Sequence, residues 1–445
     1  MTTTVDVIVL GTGSAAQSVA YPCREAGWSV AIVDYHPFGG TCQLRGCDPK
    51  KVLVGVSDLV DWSRRMQGKG VSAPGLSLSW PDLIRFKRTF TDPVPEQNEQ
   101  SLAEAGIITR HGRAHFVDRT SVQVGEDTLV GRYVVIATGA RHAPLGIAGE
   151  DLLTTSTQFL DLDALPRRIV FVGGGYIAFE FAHIAARAGA QVQVLHRGSR
   201  PLEKFDPDLV AQLVQTTREL GVEVQLNTAV TAIERQGDHL LVHARTGEQE
   251  TRVEADLVVH AAGRVPEIDD LDLEAAGVAR EKGGVSVNEY LQSVSNPAVY
   301  AAGDAVASGG FPLTPVAGMQ GDIVARTSWR ATGTPRTIAA FPAWSLRPHL
   351  SYGWAFLRRR LAHKACTLRR TTRTPQAGIR RFGWPCRIQG SRHSSRRAPG
   401  ASWGRTCWAC MPRRSSTSSR SRSAWACGQV ISNTWSTPIR RARQM

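Results

Sequence analysis

The chain has 445 residues, which is enough for two or three domains with sizeable cores. It contains no run of 18 apolar residues, which excludes a conventional membrane-spanning helix, and its start leads directly into an apolar strand pattern, so we expect no signal peptide. The formal net charge of +14 is concentrated at one end, because residues 344–445 contain 22 of the 53 Lys and Arg residues and none of the 39 Asp and Glu residues. Residues 1–343 alone therefore carry an acidic excess.

The first apolar segment leads into a glycine-rich turn. Residues 5–10 (VDVIVL) read as a buried parallel strand, and the sequence G-T-G-S-A-A follows it and opens a helix. In such a turn the glycines permit a tight bend and let a pyrophosphate approach the backbone. Asp34 ends the next apolar strand, where a carboxylate can accept a hydrogen bond from a ribose hydroxyl. The pattern predicts a dinucleotide site formed by Gly11, Gly13, Ser14, Ala15, Ala16 and Asp34.

The same pattern of strand, glycine turn, helix and strand occurs again, with strands predicted at 168–172 and 191–195. Two such turns imply two separate dinucleotides, and the second should be the nicotinamide. An NAD site would carry an acid after the second strand, whereas this chain has cations there, which suit the 2′-phosphate of NADPH. The alternative is that these cations are ordinary loop residues. The predicted second site comprises Gly173, Gly175, Tyr176, Ile177, Ala178, His196 and Arg197.

Two cysteines follow the first turn, in the stretch G-G-T-C-x4-C-D-P-K-K. Pro49 indicates the first turn of a helix, so Cys42 and Cys47 are both expected at a helix N-terminus. There the helix dipole and nearby lysines favour the thiolate, the form that attacks a disulfide or passes electrons to a flavin. A pair of structural thiols is the alternative interpretation. A thiol pair of this kind, with Cys23 as the one other cysteine among residues 1–343, suits a reducing cytoplasm.

These motifs resemble the class I pyridine nucleotide-disulfide oxidoreductases, and the K-K after the proline is most similar to the glutathione reductase branch. The resemblance covers about residues 5–322. It implies an α/β fold with two Rossmann-like domains: an FAD domain formed by 1–145 and 270–343, and a nicotinamide domain, 146–269, inserted in it. FAD is implied in the first site and NADPH, rather than NADH, in the second.

The resemblance also assigns further site residues. Glu180 resembles the family glutamate that pairs with an active-site lysine, here Lys50 or Lys51, beside the flavin. Four further segments resemble family contacts to the cofactors: the A-T-G turn at 137–139, the crossover segment A-x-G-R-x-P, and the segments A-G-D-A and L-T-P-V-A. The cofactor-binding residues implied in this way are Gly40, Thr41, Lys51, Ala137, Thr138, Gly139, Gly263, Arg264, Gly303, Asp304, Pro315, Val316 and Ala317.

The implied activity is NADPH-dependent reduction of a small disulfide. Electrons pass from the nicotinamide through the flavin to the Cys42–Cys47 disulfide, after which Cys42 attacks the substrate and Cys47 lies against the flavin as a thiolate. Dihydrolipoamide dehydrogenase and mercuric reductase are the alternatives within the family, and a non-catalytic flavoprotein with a nucleic-acid-binding tail is the alternative outside it. Two departures from the family pattern bear on the substrate and on the nicotinamide. Tyr21 stands where glutathione reductases place an arginine for glutathione. Glu203 stands near the position where the family has the second arginine of its 2′-phosphate clamp.

The basic tail, residues 344–445, allows three interpretations. Its 21 arginines make it a candidate nucleic-acid-binding arm, although its seven tryptophans and five cysteines are unusual in a solvated arm. The spacing C-x-x-C at Cys407 and Cys410 would supply one half of a metal site, with Cys386 or Cys427 as a further ligand. The third interpretation is an out-of-frame translation of a GC-rich gene.

The genetic code favours the third interpretation. When the last base of each codon from Ala343 onward is joined to the first two bases of the next, the codons allow V-V-F-T, P-P-L, V-G-L-S and E-E-E-A in this order. The third domain of the resembled family opens in this way. That domain forms the homodimer interface and supplies a catalytic His-Glu pair. We therefore expect the chain as written to lack both, and expect neither a metal site nor a nucleic-acid partner.

Overall fold

The computed structural model describes residues 1–330. The strands are, in chain order, β1 (Thr2–Leu10), β2 (Val30–Asp34), β3 (Ile108–His111), β4 (Ala114–Phe116), β5 (Ser121–Val124), β6 (Asp127–Ile136), β7 (Ala140–His142), β8 (Arg168–Val172), β9 (Gln191–Leu195), β10 (Glu223–Gln225), β11 (Thr228–Gln236), β12 (His239–Thr246), β13 (Gln249–Ala255), β14 (Leu257–His260), β15 (Arg264–Pro266), β16 (Arg280–Glu281), β17 (Gly284–Val285) and β18 (Val299–Ala301). The α-helices are α1 (Ser14–Glu25), α2 (Cys47–Met66), α3 (Trp80–Thr91), α4 (Val94–Glu104), α5 (Ser156–Phe159), α6 (Tyr176–Arg187), α7 (Pro207–Glu219) and α8 (Thr314–Arg330).

The first sheet contains the predicted FAD strands. Its strands run in the order β3-β2-β1-β6, with β18 also pairing with β6, and all of these pairs are parallel. The antiparallel strands β5 and β4 extend the sheet from β6. Its central residues, such as Ile8, Ile32 and Val134, are fully buried, as expected for parallel strands covered on both faces. The carboxyl ends of β1 and β2 therefore lie side by side, at the first glycine turn.

A second parallel sheet, in the order β10-β9-β8-β14, contains the predicted nicotinamide strands. Beside it, β11, β12 and β13 form an antiparallel three-stranded sheet. Strands β8 and β9 coincide with the strands predicted at 168–172 and 191–195. The predicted α/β class, with one parallel sheet after each glycine turn, is thus confirmed.

Two chain segments connect the sheets, and they pair with each other as the antiparallel strands β7 and β15. One follows the A-T-G turn at Gly139, and the other is the predicted crossover segment. The domain limits at 145, 269 and 343 stay a prediction. The basic tail, with its predicted metal half-site and its predicted frameshift, lies outside the described residues. Within residues 1–330 no helix is long and apolar enough to cross a membrane.

Candidate active site

Gly11 and Gly173 occupy equivalent positions in the two nucleotide turns. Gly11 has φ +107°, and a Cβ atom there would lie 2.3 Å from the carbonyl oxygen of Ala137. Gly173 has φ +122°, and a Cβ atom there would lie 2.3 Å from the carbonyl oxygen of Ala261. Both positions are restricted to glycine by conformation and by contact. Each turn therefore packs against the end of a neighbouring strand and directs the following helix toward a cavity.

Asp34, at the end of β2, is bound to the first turn. Its carboxylate accepts hydrogen bonds from the backbone nitrogen and the hydroxyl of Thr12, at 2.9 and 2.7 Å, and from the backbone nitrogen of His36 at 2.9 Å. The Thr12 hydroxyl oxygen in turn accepts a hydrogen bond from the backbone nitrogen of Gly39. Gly39 directly precedes residues 40–47, the redox loop, which carries both cysteines. Asp34 thus holds the turn and the redox loop together, at the edge of the cavity where the sequence predicts the ribose.

The first cavity lies along this turn and has a volume of about 360 Å³. Most of the predicted FAD and redox residues line it: Gly11, Gly13, Ser14, Ala15, Asp34, Gly40, Thr41, Cys42, Cys47, Lys50, Ala137, Thr138, Gly139, Glu180, Gly303, Asp304 and Ala317. Four predicted residues do not line it, and one of them, Val316, lines the second cavity instead. Ala16 is fully buried between helix and sheet, Pro315 lies at the start of α8, and Lys51 points to the exposed side of α2, where it pairs with Asp48 at 3.4 Å.

The two cysteines lie in different elements, which corrects the expectation that both occupy a helix N-terminus. Cys47 is the first residue of α2, as Pro49 indicated. Cys42 lies in a five-residue π-helical turn, Thr41–Arg45, that precedes it. Both thiols are free, and both are half-buried in the cavity wall. Only Cys47 therefore benefits directly from the positive end of the helix dipole.

The surroundings of the two thiols separate their pKa values. The hydrogen bond from the Cys42 thiol lowers the pKa of Cys47, and the Thr314 hydroxyl, 3.5 Å from its sulfur, lowers it further, as do the charges of Lys50 and Lys51. The same thiol–thiol hydrogen bond, together with burial, raises the pKa of Cys42. These surroundings therefore favour negative charge on Cys47 over Cys42 in the reduced pair.

Thr314 offers a test of how the thiolate of this pair is stabilised, because its hydroxyl lowers the pKa of both thiols. We expect Thr314→Val to move the thiolate titration to higher pH by roughly one unit or less, since one hydrogen bond contributes about 1 kcal/mol. The reduced protein would be titrated by thiolate absorbance. Thr314→Ser keeps the hydroxyl and serves as control. A titration midpoint identical in the valine and serine variants would show that Thr314 does not stabilise the thiolate.

An ion pair connects α2, which begins at Cys47, to α6, which follows the second glycine turn. The Nζ atom of Lys50 lies 2.6 Å from Oε2 of Glu180, so the lysine that reaches the glutamate is Lys50 and not Lys51. Both side chains are about three-quarters buried and line the first cavity. The pair joins α2 to α6 and places a cation and its counter-ion beside Cys47.

The second cavity, of about 980 Å³, lies against the second turn. Of the predicted nicotinamide residues, Gly173, Gly175, Tyr176, Ile177, His196 and Arg197 line it, whereas Ala178 is fully buried in α6. Gly263 of the crossover segment and Val316, predicted at the flavin, also line this second cavity. The Nε2 atom of His196 donates a hydrogen bond to the carbonyl oxygen of Arg200, at 3.0 Å, so this nitrogen is already engaged. Arg197 makes no hydrogen bond or ion pair with residues 1–330. The sequence reasoning overlooked Lys204, which also lines this cavity.

The two cavities share one wall. It is formed by residues that were predicted for different cofactors: Tyr176, Ile177, Arg264, Gly303, Asp304 and Ala317. Burial raises the pKa of Asp304, and the charge of Arg264 partly opposes this effect. Ligands bound in the two cavities would therefore both contact this wall, where the charge of Cys47 acts on Tyr176.

Unsatisfied polar atoms in the first cavity fit a polar cofactor. Within the described chain, the hydroxyl of Thr138 and the Nε atom of Arg264 are buried and have no hydrogen-bond partner. Buried polar atoms are normally paired, so a ligand that supplies partners would complete the wall. The donor set of glycine-turn amides, one hydroxyl and one guanidinium suits the pyrophosphate and hydroxyl groups of FAD.

Comparisons with known proteins agree with this arrangement. Residues 5–321 match the family model described as pyridine nucleotide-disulphide oxidoreductase. A glutathione reductase from Burkholderia cepacia is 35% identical over 331 residues, covering 74% of this chain and 72% of the relative. A mercuric reductase from Staphylococcus aureus is 31% identical, covering 73% of this chain and 59% of the relative.

A dihydrolipoyl dehydrogenase from Mycoplasma pneumoniae is 33% identical, covering 67% of this chain and 66% of the relative. Among solved structures, the HOCl-induced flavoprotein disulfide reductase RclA from Escherichia coli superposes with a TM-score of 0.64 at 27% identity, covering 72% of this chain and 70% of that one. Family members of this kind are oxidoreductases that use FAD and NAD(P)H. The chain belongs to the pyridine nucleotide-disulphide oxidoreductase family.

Proposed function

We propose that this chain is an FAD-dependent NADPH:disulfide oxidoreductase that uses Cys42 and Cys47 as its redox pair. The observation that carries the proposal is the position of Cys47. Cys47 lines the first cavity, and its sulfur lies 3.5 Å from the Thr314 hydroxyl. Its charge also acts on Tyr176, which lines both cavities. A thiol with a lowered pKa in this position can exchange electrons with a ligand in the first cavity.

Bound FAD would supply two-electron chemistry between the nicotinamide and the cysteine pair. The chain's own residues prepare the thiols for it. Cys42 is the proposed attacking group on a disulfide substrate, and its proton would first pass to a base, because the thiolate is the attacking form. Cys47 is the proposed resolving thiolate. Lys50, fixed by Glu180, keeps a positive charge near Cys47 and so stabilises negative charge at this end of the cavity.

We further propose NADPH as the preferred nicotinamide. Arg197 lines the second cavity without a carboxylate partner in the described part of the chain, and Lys204 adds a second cation. His196 contributes less than the sequence suggested, because its Nε2 atom already donates to Arg200. Glu203, in the same wall, would repel a phosphate and limits the preference. Binding of the 2′-phosphate therefore depends mainly on the guanidinium of Arg197.

Stopped-flow reduction of the bound flavin tests this choice. We expect NADPH to reduce the flavin faster than NADH does. Arg197→Glu should slow flavin reduction by subsaturating NADPH at least about tenfold and should change the rate with NADH little. Arg235→Glu, an exposed substitution of the same charge, is the matched control. Equal rates with the two nucleotides in the unmodified chain would refute the NADPH preference.

The proposed substrate class is a small disulfide. Glutathione disulfide is the first candidate because of the glutathione reductase relatives, but Tyr21 offers no cation to bind it: its side chain packs against the core, and burial raises its pKa. Mercuric ion and lipoamide are the alternatives suggested by the other relatives. A reducing compartment such as the cytoplasm is the proposed location, because the proposed cycle passes through free thiols.

We propose that residues 344–445 are an out-of-frame translation of the family's third domain. The region lacks carboxylates entirely, so it cannot supply the glutamate of a His-Glu pair. The in-frame protein is proposed to be a homodimer, whereas the chain as written lacks the predicted interface.

A further inference from the structure

The redox loop places a cation inside the first cavity. Arg45 is the last residue of the π-helical turn Thr41–Arg45, and its half-buried side chain lines the cavity. Residues four apart on a helical turn lie on the same side, so Arg45 follows Thr41 along the cavity wall. The start of the loop touches the first nucleotide turn, because a Cβ atom on Gly40 would lie 2.4 Å from Cα of Gly13. Arg45 therefore extends a wall that begins at the N-terminus of α1.

Most other cations of this cavity are already paired. Lys50 binds Glu180, Arg113 binds Asp270 at 2.7 Å, and Arg141 binds Asp269 at 2.6 Å. Burial lowers the pKa of His36, which disfavours the charged form of its ring. Among the cavity cations that the structure describes, Arg45 and Arg264 are the two without a carboxylate partner.

The carboxylates nearest to Arg45 are occupied by other donors. Asp34 accepts hydrogen bonds from Thr12 and His36, and Glu267 accepts one from the hydroxyl of Tyr35. Burial lowers the pKa of the Arg45 guanidinium, and the charges of Asp34 and Glu267 oppose this only in part. A guanidinium with uncompensated burial is costly, and an anion in the cavity would offset the cost.

We propose that Arg45 binds the pyrophosphate of FAD, as a charged ligand that complements the backbone amides of the first glycine turn. The proposal rests on the proposed FAD site. The pyrophosphate carries two negative charges, and Arg45 and Arg264 are two cations without carboxylate partners on the wall between the Asp34 end and the Asp304 end of the cavity. A planar guanidinium can donate two parallel hydrogen bonds to phosphate oxygens. The redox loop would then be anchored to the cofactor through its own side chain.

Nucleotide binding to the full 445-residue chain, freed of flavin, tests the proposal. The probes are FAD, ADP and adenosine, because ADP contains the pyrophosphate and adenosine does not. We expect Arg45→Ala to weaken FAD and ADP binding about ten- to a hundredfold and to leave adenosine binding within about twofold, since hydrogen bonds to charged groups contribute about 1.5–3 kcal/mol. Arg45→Lys should recover part of the lost affinity, because lysine restores the charge but cannot donate two parallel hydrogen bonds from a planar group.

The controls separate binding from folding. Arg252→Ala removes an exposed cation on β13 and should leave all three affinities unchanged. The ligand-free circular dichroism spectra of the alanine variants should coincide. Unchanged ADP affinity in Arg45→Ala, or an equal loss for ADP and adenosine, would overturn the role of Arg45 while leaving the FAD site intact. An unmodified chain that binds neither FAD nor ADP would overturn the FAD site and this role together.

Discussion

Restoring the reading frame near codon 343 is expected to raise disulfide-reductase turnover on the order of a hundredfold or more. The cysteine pair and both nucleotide cavities lie within residues 1–330, but the basic tail has no Asp or Glu and so lacks the His-Glu pair that is proposed to protonate the leaving thiol. The in-frame protein would regain that pair and its dimer interface. Turnover with glutathione disulfide and lipoamide, together with sedimentation velocity, would measure both changes.

The control for this experiment is the frame-restored chain with Cys42→Ser, which should form the dimer and remain inactive. If the 445-residue chain reduced disulfides as fast as the frame-restored protein, the frameshift account would be wrong. The basic tail would then be a functional domain in its own right.

Gly11→Ala is expected to reduce FAD affinity at least about a hundredfold. The new Cβ atom would meet the Ala137 carbonyl oxygen at 2.3 Å, and φ +107° is unfavourable for any residue with a Cβ. The turn would have to move away from β6, and its amides would no longer face the cavity. Retained flavin after gel filtration and the Kd of the flavin-free protein would measure the loss.

Gly189→Ala is the matched control for Gly11→Ala. Gly189 has a similar φ of +103°, and no atom lies within 4 Å of the position of its Cβ atom. Backbone strain should lower the free energy of unfolding of Gly189→Ala by about 1–2 kcal/mol, while its FAD affinity stays unchanged. Equal loss of FAD in both variants would mean that general destabilisation, rather than displacement of the first turn, controls binding.

The nucleotide turns were readable from the sequence because their constraints are local. Gly11 and Gly173 need positive φ and close contact with a neighbouring strand, and only glycine satisfies both, so the residue type itself carries the information. β8 is an almost continuous apolar run and β9 alternates glutamine with valine before Leu195, and both patterns predicted the strands with the correct limits.

Contacts between distant segments were harder to predict. Cys47 and Thr314 are 267 positions apart, and no sequence pattern connects a thiol with a hydroxyl at that distance. The choice between Lys50 and Lys51 depends on helix phase: adjacent helical residues point about 100° apart, and the phase is set by the start of α2 at Cys47. The role of His196 changed for a similar reason, because its loop folds back so that Nε2 meets the carbonyl oxygen of Arg200.

Anaerobic titration with dithionite tests most directly the central claim that Cys42 and Cys47 form a redox pair with bound FAD. The account predicts uptake of about four electrons per bound flavin by the oxidised 445-residue chain, since the flavin and the disulfide each accept two. The Cys47→Ser variant should take up about two. Uptake of about two electrons by both proteins, with the FAD content unchanged, would contradict the claim.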